Sequence, residues 1–410
     1  MTNAKSDRNL DLIVFGATSF VGQILCSYLV ERHGTDGSLR WAIAGRSEAK
    51  LNDVAASTGA NVEVIVADAT DAAAMKHLAE STRVVVSTVG PYALYGSELV
   101  AAAAAAGTDY CDLTGEPQWM QKMIDAHQET AAATGARIVH TCGFDSIPSD
   151  LGVWFTQAEA EKAFGTHCST IAMRVKAMKG GASGGTIASG MNVLEEVASD
   201  PALRSVLSNP YALAPEGERT GVKQPNVTLP SHDAASGEWV GPFIMASVNT
   251  RVVLRSHALL GHPWGDDFRY DEAMMMGRGP IGAAKAAAMV SGLGVFMGAA
   301  SIGPIRSALG KYVLPKPGEG PSPEAQEAGF FDIRFFGETA AGDKIETKVT
   351  GDRDPGYGST GKMLGESAVA LLDLHRAAVG GGFYTPATAF GDALIGRLTE
   401  YAGLTFSVVD

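Results

Sequence analysis

Leu12 to Gly22 reads Leu-Ile-Val-Phe-Gly-Ala-Thr-Ser-Phe-Val-Gly, a β-branched and aromatic run that stops at a glycine and resumes as an apolar helix. Gly16 and Gly22 flank Ser19 in the spacing of a Gly-x-x-Gly-x-x-Gly turn, with serine at the middle position. A turn of this kind grips a dinucleotide. Gly16 permits the tight exit from the first strand, residues 17 to 20 bring backbone N–H groups to a pyrophosphate, and Gly22 lets the helix pack closely on the sheet. Gly16, Ala17, Thr18, Ser19, Phe20, Val21 and Gly22 are therefore the expected phosphate-binding residues. An ordinary strand-to-helix turn is the alternative, and the motif alone does not exclude it.

The next strand narrows the choice. Trp41 to Ser47 ends in Gly45-Arg46-Ser47, where a dinucleotide fold presents the residue that meets the adenosine ribose. An acid there accepts from the 2′-hydroxyl, whereas a guanidinium pairs with a 2′-phosphate and stacks beside adenine. Arg46 thus favours NADPH over NADH.

The pattern repeats. Val62 to Ala67 ends at Asp68, Val84 to Val89 at Gly90-Pro91, and Arg137 to Thr141 at Cys142-Gly143, with alanine-rich helical segments between. Such alternation predicts an α/β protein with a Rossmann-type, doubly wound parallel sheet, whose ligands lie beyond the carboxyl ends of the strands. Asp68 is expected near the adenine, or as a helix cap with Thr70; Thr88, Val89, Gly90 and Pro91 are expected on the nicotinamide side.

At 410 residues the chain has room for more than one core. Residues 1–150 read as the NADP-binding domain. Residues 151–350 read as an α+β substrate or dimerisation domain containing an antiparallel sheet, with strands near 170, 250, 330 and 345. Residues 351–410 read as helices returning to the nucleotide domain. A hairpin is expected from Phe331–Glu338 and Lys344–Thr350, and Thr385-Pro386 opens a helix with proline at its first position. Residues 180–185 read as a glycine-serine loop before a helix capped by Thr186, residues 207–240 as an irregular excursion, and Pro315–Pro323 as a linker.

A formal charge of −13 without a basic cluster speaks against nucleic acid. Four scattered cysteines show no Cys-x-x-Cys pair, as in a reducing compartment, and no apolar signal follows Lys5 and Arg8; a cytoplasmic location is expected. From Ala286 to Pro304, within an apolar helix expected near 281–308, nineteen residues carry no charge. This segment is a buried helix, a helix peripheral to the inner face of a membrane, a barely adequate span, or a wall for a greasy substrate. Gly356 to Lys362 mimics a Walker loop but puts Met363 where a hydroxyl is required. His257 and His262 lack a third ligand, so no metal is expected.

Taken in order, Gly16–Gly22, Ala44–Ser47, Gly143–Gly152, Gly184–Thr186, Pro315–Pro321 and Asp354–Thr360 make the chain resemble the saccharopine-dehydrogenase-like oxidoreductases. Within them it is most similar to the trans-acting enoyl reductases of actinobacterial lipid synthesis. The resemblance covers nearly the whole chain. It implies reduction of a carbon–carbon double bond in a lipid-like acyl chain held by a polyketide synthase carrier protein.

Saccharopine bears several carboxylates and calls for converging cations, yet charged residues are only 19% of this chain. A lipid-like substrate fits better. An enoyl reduction needs a donor for the developing enolate and a proton for the α-carbon. Tyr92, Asp145 and Tyr357 are the catalytic candidates, with Asp145 alternatively capping a turn. A saccharopine-type amino acid oxidoreductase and a non-catalytic NADPH-binding redox sensor remain as alternatives, and a homodimer is compatible with each.

Overall fold

Short runs of buried β-branched residues build the first sheet in the computed structural model, which describes residues 8–180, 192–193, 196, 202–301, 320–375 and 378–409. Strands and helices alternate along β1 (Leu10–Phe15), α1 (Phe20–His33), β2 (Trp41–Gly45), α2 (Glu48–Thr58), β3 (Glu63–Val66), α3 (Ala72–Ser81) and β4 (Thr82–Ser87). They continue through α4 (Tyr92–Tyr95), α5 (Ser97–Ala106), β5 (Asp109–Asp112), α6 (Pro117–Thr134) and β6 (Arg137–Val139). The second region holds α7 (Ile147–Phe164), β7 (Cys168–Lys179), α8 (Ala202–Ser208), β8 (Ser231–His232), β9 (Trp239–Pro242), α9 (Ala246–Leu259), β10 (Arg269–Gly277) and α10 (Gly279–Ser301). After it come α11 (Pro323–Glu327), β11 (Phe330–Thr339), β12 (Lys344–Gly351), α12 (Thr360–Asp373), β13 (Gly382–Tyr384), α13 (Pro386–Phe390), α14 (Asp392–Tyr401) and β14 (Leu404–Val408).

The first sheet has the order β3-β2-β1-β4-β5-β6-β13, parallel throughout, with its strand order reversing beside β1. That reversal opens the crevice in which such folds bind ligands. The second sheet runs β14-β12-β11-β7-β10-β9-β8 and is mixed: β7 and β10 pair in parallel, the remaining neighbours antiparallel. The expected hairpin is β11 and β12, whose Phe331, Ile333, Phe335, Thr347 and Val349 alternate into the core.

The strand expected near 250 is instead the helix α9. Its residues from Val248 to Ala258 are buried on every side, so its apolar positions show no helical stripe and its β-branched content reads as strand. Arg251 and Arg255, one turn apart, spend their guanidinium groups on backbone carbonyls: Ser247 and Leu207 for the first, Leu213 and Phe383 for the second.

The returning C-terminal helix is α12, which packs on α1, β4 and β5. The chain then contributes one strand to each sheet, β13 to the first and β14 to the second. All four cysteines are buried and free. The 180–185 loop, the helix capped by Thr186 and the proline-rich linker fall largely outside the described residues. The apolar helix α10 lies in the open, not in the core.

Candidate active site

Gly16 has φ +91°, and a Cβ there would stand 2.7 Å from Thr88 Oγ1. A Cβ at Gly22 would collide with the Gly16 carbonyl oxygen, so each glycine is required by a close backbone approach. Ser19 caps α1 by accepting from the Gly22 N–H at 2.9 Å. Its hydroxyl also lies 2.9 Å from Thr88 Oγ1, and Thr88 donates to the Gly16 carbonyl at 2.9 Å. Because that bond uses the single Thr88 proton, Ser19 is the donor of the pair. The turn therefore presents the amides that open α1 in a fixed pose beside the first residue of the β4 exit, as pyrophosphate binding requires.

Arg46 is exposed just past β2. Asp68 accepts from the Thr70 N–H at 2.9 Å and its hydroxyl at 2.8 Å. These bonds, aided by the charge of Arg46, hold its carboxyl below the usual range. The cap of α3 is Asp71, so Asp68 shapes the turn before that helix and does not cap it. Gly45 is buried at the end of β2, where a Cβ would touch Leu51, and Ser47 caps α2.

Beyond β4, Val89, Gly90 and Pro91 lead into α4, with the Gly90–Pro91 peptide cis. Glu116 receives the first N–H groups of that helix, from Tyr92 and Ala93, each at 2.9 Å. Tyr92 is buried, and its hydroxyl donates to the Ser87 carbonyl at 2.9 Å. Burial, followed by the charge of Asp112 and then that of Asp145, drives its phenol well above the ordinary value. The charge of Asp145 thus reaches Tyr92. Tyr357 lies edge-on to Phe20 at 5.0 Å, with its N–H donating to Asp354.

Asp145 lies in the turn between β6 and α7. Burial, reinforced by the neighbouring Asp112 charge, raises its carboxyl to about 7, against the pull of its own backbone amide. The turn is held from two sides. Phe144 N–H donates to Thr360 Oγ1 at 3.0 Å, and Ser146 Oγ donates to Asn249 Oδ1 at 2.9 Å. Asn249 passes the connection on to Ser149 and to Glu272 Oε2, each at 3.0 Å, while Tyr270 donates to Glu272 Oε1 at 2.7 Å. Burial raises the Glu272 carboxyl to about 7.

Beneath the site, Asp112 accepts from Tyr110, Thr114 N–H and Thr141 N–H, and lies 2.7 Å from His140 Nδ1. Asp112, Glu116, His140, Asn249 and Glu272 were not legible as a group in the sequence. The one available signal was Asp109-Tyr-Cys-Asp112, a strand too short and too polar to stand out, whose acids are nonetheless fully sequestered. A Cβ on Gly115 would touch Met245 and Val248, and Ile244, next to Met245 in sequence, is 69% exposed. No group of side chains among the described residues has the makings of a metal site.

Saccharopine dehydrogenase (L-Glu forming) of Saccharomyces cerevisiae, in its apo form, superposes with a TM-score of 0.55 at 13% identity, covering 98% of this chain and all of that one. Two sheets in this arrangement, with a dinucleotide turn at the switch point of the parallel one, define a Rossmann-type protein of saccharopine-dehydrogenase-like fold. No protein-family model matches the chain. A Mycobacterium tuberculosis protein provisionally named a trans-acting enoyl reductase is 41% identical over 408 residues, 95% of this chain and 96% of its own. Trans-acting enoyl reductases of M. tuberculosis and Mycobacterium ulcerans are 37% and 36% identical, covering 96% and 97% of this chain and the same shares of theirs. The chain belongs to this family of oxidoreductases, the trans-acting enoyl reductases.

Proposed function

We propose that this protein is an NADPH-dependent enoyl reductase that works in trans, saturating the α,β double bond of a lipid-like acyl chain borne by a polyketide synthase carrier protein. The observation that carries the reading is the 41% identity to a provisionally named trans-acting enoyl reductase over 95% of this chain; within the site Asp145, half-buried in the turn after β6, has its carboxyl raised to about 7 by desolvation. A carboxyl so tuned retains a proton at neutral pH, which an ordinary aspartate does not, and can return it after delivery.

NADPH would supply the hydride, with the Gly16–Gly22 turn holding its pyrophosphate and Arg46 its 2′-phosphate. Asp145 delivers the proton to the α-carbon. Tyr92 has its hydroxyl engaged by the Ser87 carbonyl, and Tyr357 packs against the phosphate turn through Phe20. Met245 and the exposed Ile244 offer the acyl chain an apolar wall. The expected setting is the cytoplasm.

NADPH oxidation by the purified protein tests this, with a long-chain 2-enoyl thioester in one cell and the lysine-pathway aldehyde plus glutamate in the other. Turnover of the thioester alone is expected. Turnover of the aldehyde alone would replace the reading with an amino acid oxidoreductase, and NADPH binding without turnover, even of a carrier-bound enoyl chain, with a redox sensor.

A further inference from the structure

Asp354 to Thr360 leads into α12 and touches both the start of α1 and the turn that carries Asp145. Pro355 to Ser359 wind as a π-helical turn, a rare geometry that recurs at functional sites. Asp354 caps it by accepting from the Tyr357 N–H at 2.8 Å. On one side Tyr357 meets Phe20, and Gly361 packs so closely on Ile24 that a Cβ there would stand 2.7 Å from Ile24 Cγ2. Phe20 and Ile24 are one turn apart, so the segment rests on a single face of the helix that opens from the phosphate turn.

The other side belongs to Thr360, which is buried. Its hydroxyl donates to the Pro355 carbonyl at 2.9 Å and lies 3.0 Å from the Phe144 nitrogen, 216 residues away in sequence. A hydroxyl has one proton; with that proton on Pro355, the oxygen accepts from the Phe144 N–H. A Cβ built on Gly143 would stand 2.8 Å from Asp145 Oδ2 and 3.0 Å from Thr360 Cγ2, so the Asp145 carboxyl and the Thr360 methyl close on the same glycine. We propose that Thr360 is a positioning residue for the reduction, holding the Asp145 turn in a fixed register with the helix that opens from the phosphate turn. This rests on Asp145 as the acid. A residue of the same shape without the hydroxyl would leave the Phe144 N–H and the Pro355 carbonyl unpaired. The turn could then carry the carboxyl toward water, where it ionises as an ordinary aspartate.

The test is kcat for a long-chain 2-enoyl thioester as a function of pH in Thr360→Val, Thr360→Ala and Thr360→Ser, with Asp145→Asn as the reference. Thr360→Val keeps the shape and loses both bonds, whereas Thr360→Ala leaves room for water to replace them and guards against a fold too damaged to assay. In both, kcat should fall about 10-fold or more, and its alkaline limb should move to lower pH by about one unit, with little change in NADPH affinity. Thr360→Ser should restore the wild-type limb. Limbs that stay in place in Thr360→Val and Thr360→Ala, while Asp145→Asn abolishes the limb, would overturn the role of Thr360 and leave Asp145 as the acid. A limb retained in Asp145→Asn would overturn both.

Discussion

Ser19 Oγ donates to Thr88 Oγ1 across 2.9 Å, joining the turn after β1 to the turn after β4 at the switch point of the parallel sheet. Thr88 hands its own proton to the Gly16 carbonyl, so one hydroxyl pair fixes both walls of the crevice. Replacing Thr88 by Val leaves Ser19 Oγ without its acceptor and should cost about 1–2 kcal/mol of stability. Ser19→Ala should cost about 1 kcal/mol through the lost cap. Both should raise the Kd for NADPH, read by fluorescence titration beside urea denaturation; unchanged binding in both would separate the hydroxyl pair from the phosphate site.

Arg46 is exposed, and its charge acts on Asp68. Arg46→Ala should weaken NADPH binding by about 10- to 100-fold, the equivalent of one or two charge-assisted hydrogen bonds, and leave NADH binding nearly unchanged. Equal losses for the two nucleotides would remove Arg46 from 2′-phosphate recognition.

Asp145 must be protonated to act as an acid, so kcat for enoyl reduction should fall as pH rises through about 7. Asp145→Asn keeps the shape of the side chain but has no transferable proton. A loss of about 100-fold or more in kcat is expected, with a flat residual profile and little change in NADPH affinity. A variant that retained the alkaline limb would place the titrating acid elsewhere.

Glu272 provides a pH test of stability independent of turnover. Its folded carboxyl is raised from 4.5 to about 7, so between these values the folded state binds more protons than the unfolded state and stability falls as pH rises. Below pH 4.5 the penalty vanishes; above 7 it reaches about 3 kcal/mol. Glu272→Gln, which mimics the protonated form toward Tyr270 and Asn249, should remove that decline, measured by urea denaturation at pH 5 and at about pH 8. A decline of equal size in the variant would trace it to other groups.

The Gly16–Gly22 turn, Arg46 at the end of the second strand and the β11–β12 hairpin were legible in the sequence because each is set locally, by glycine geometry, by topological position or by a two-residue alternation. The helix at Ala246–Leu259 was not, because burial on all sides erases periodicity. The final strands also escaped notice: β13 has three residues, and neither it nor β14 has a pairing partner near it in sequence.

The sequence by itself determined a parallel dinucleotide-binding sheet, a second region with a hairpin, and the residues that could face each end of a cofactor. Tertiary structure alone decided which of those residues share an environment. It brought the charges of Asp112 and Asp145 to bear on Tyr92, tied the Asp145 turn to Asn249 of α9 and Glu272 of the second sheet, and left α10 outside the core. The physical reason is that acidity and exposure belong to surroundings assembled from distant parts of the chain, whereas turns and strand pairing register belong to neighbours.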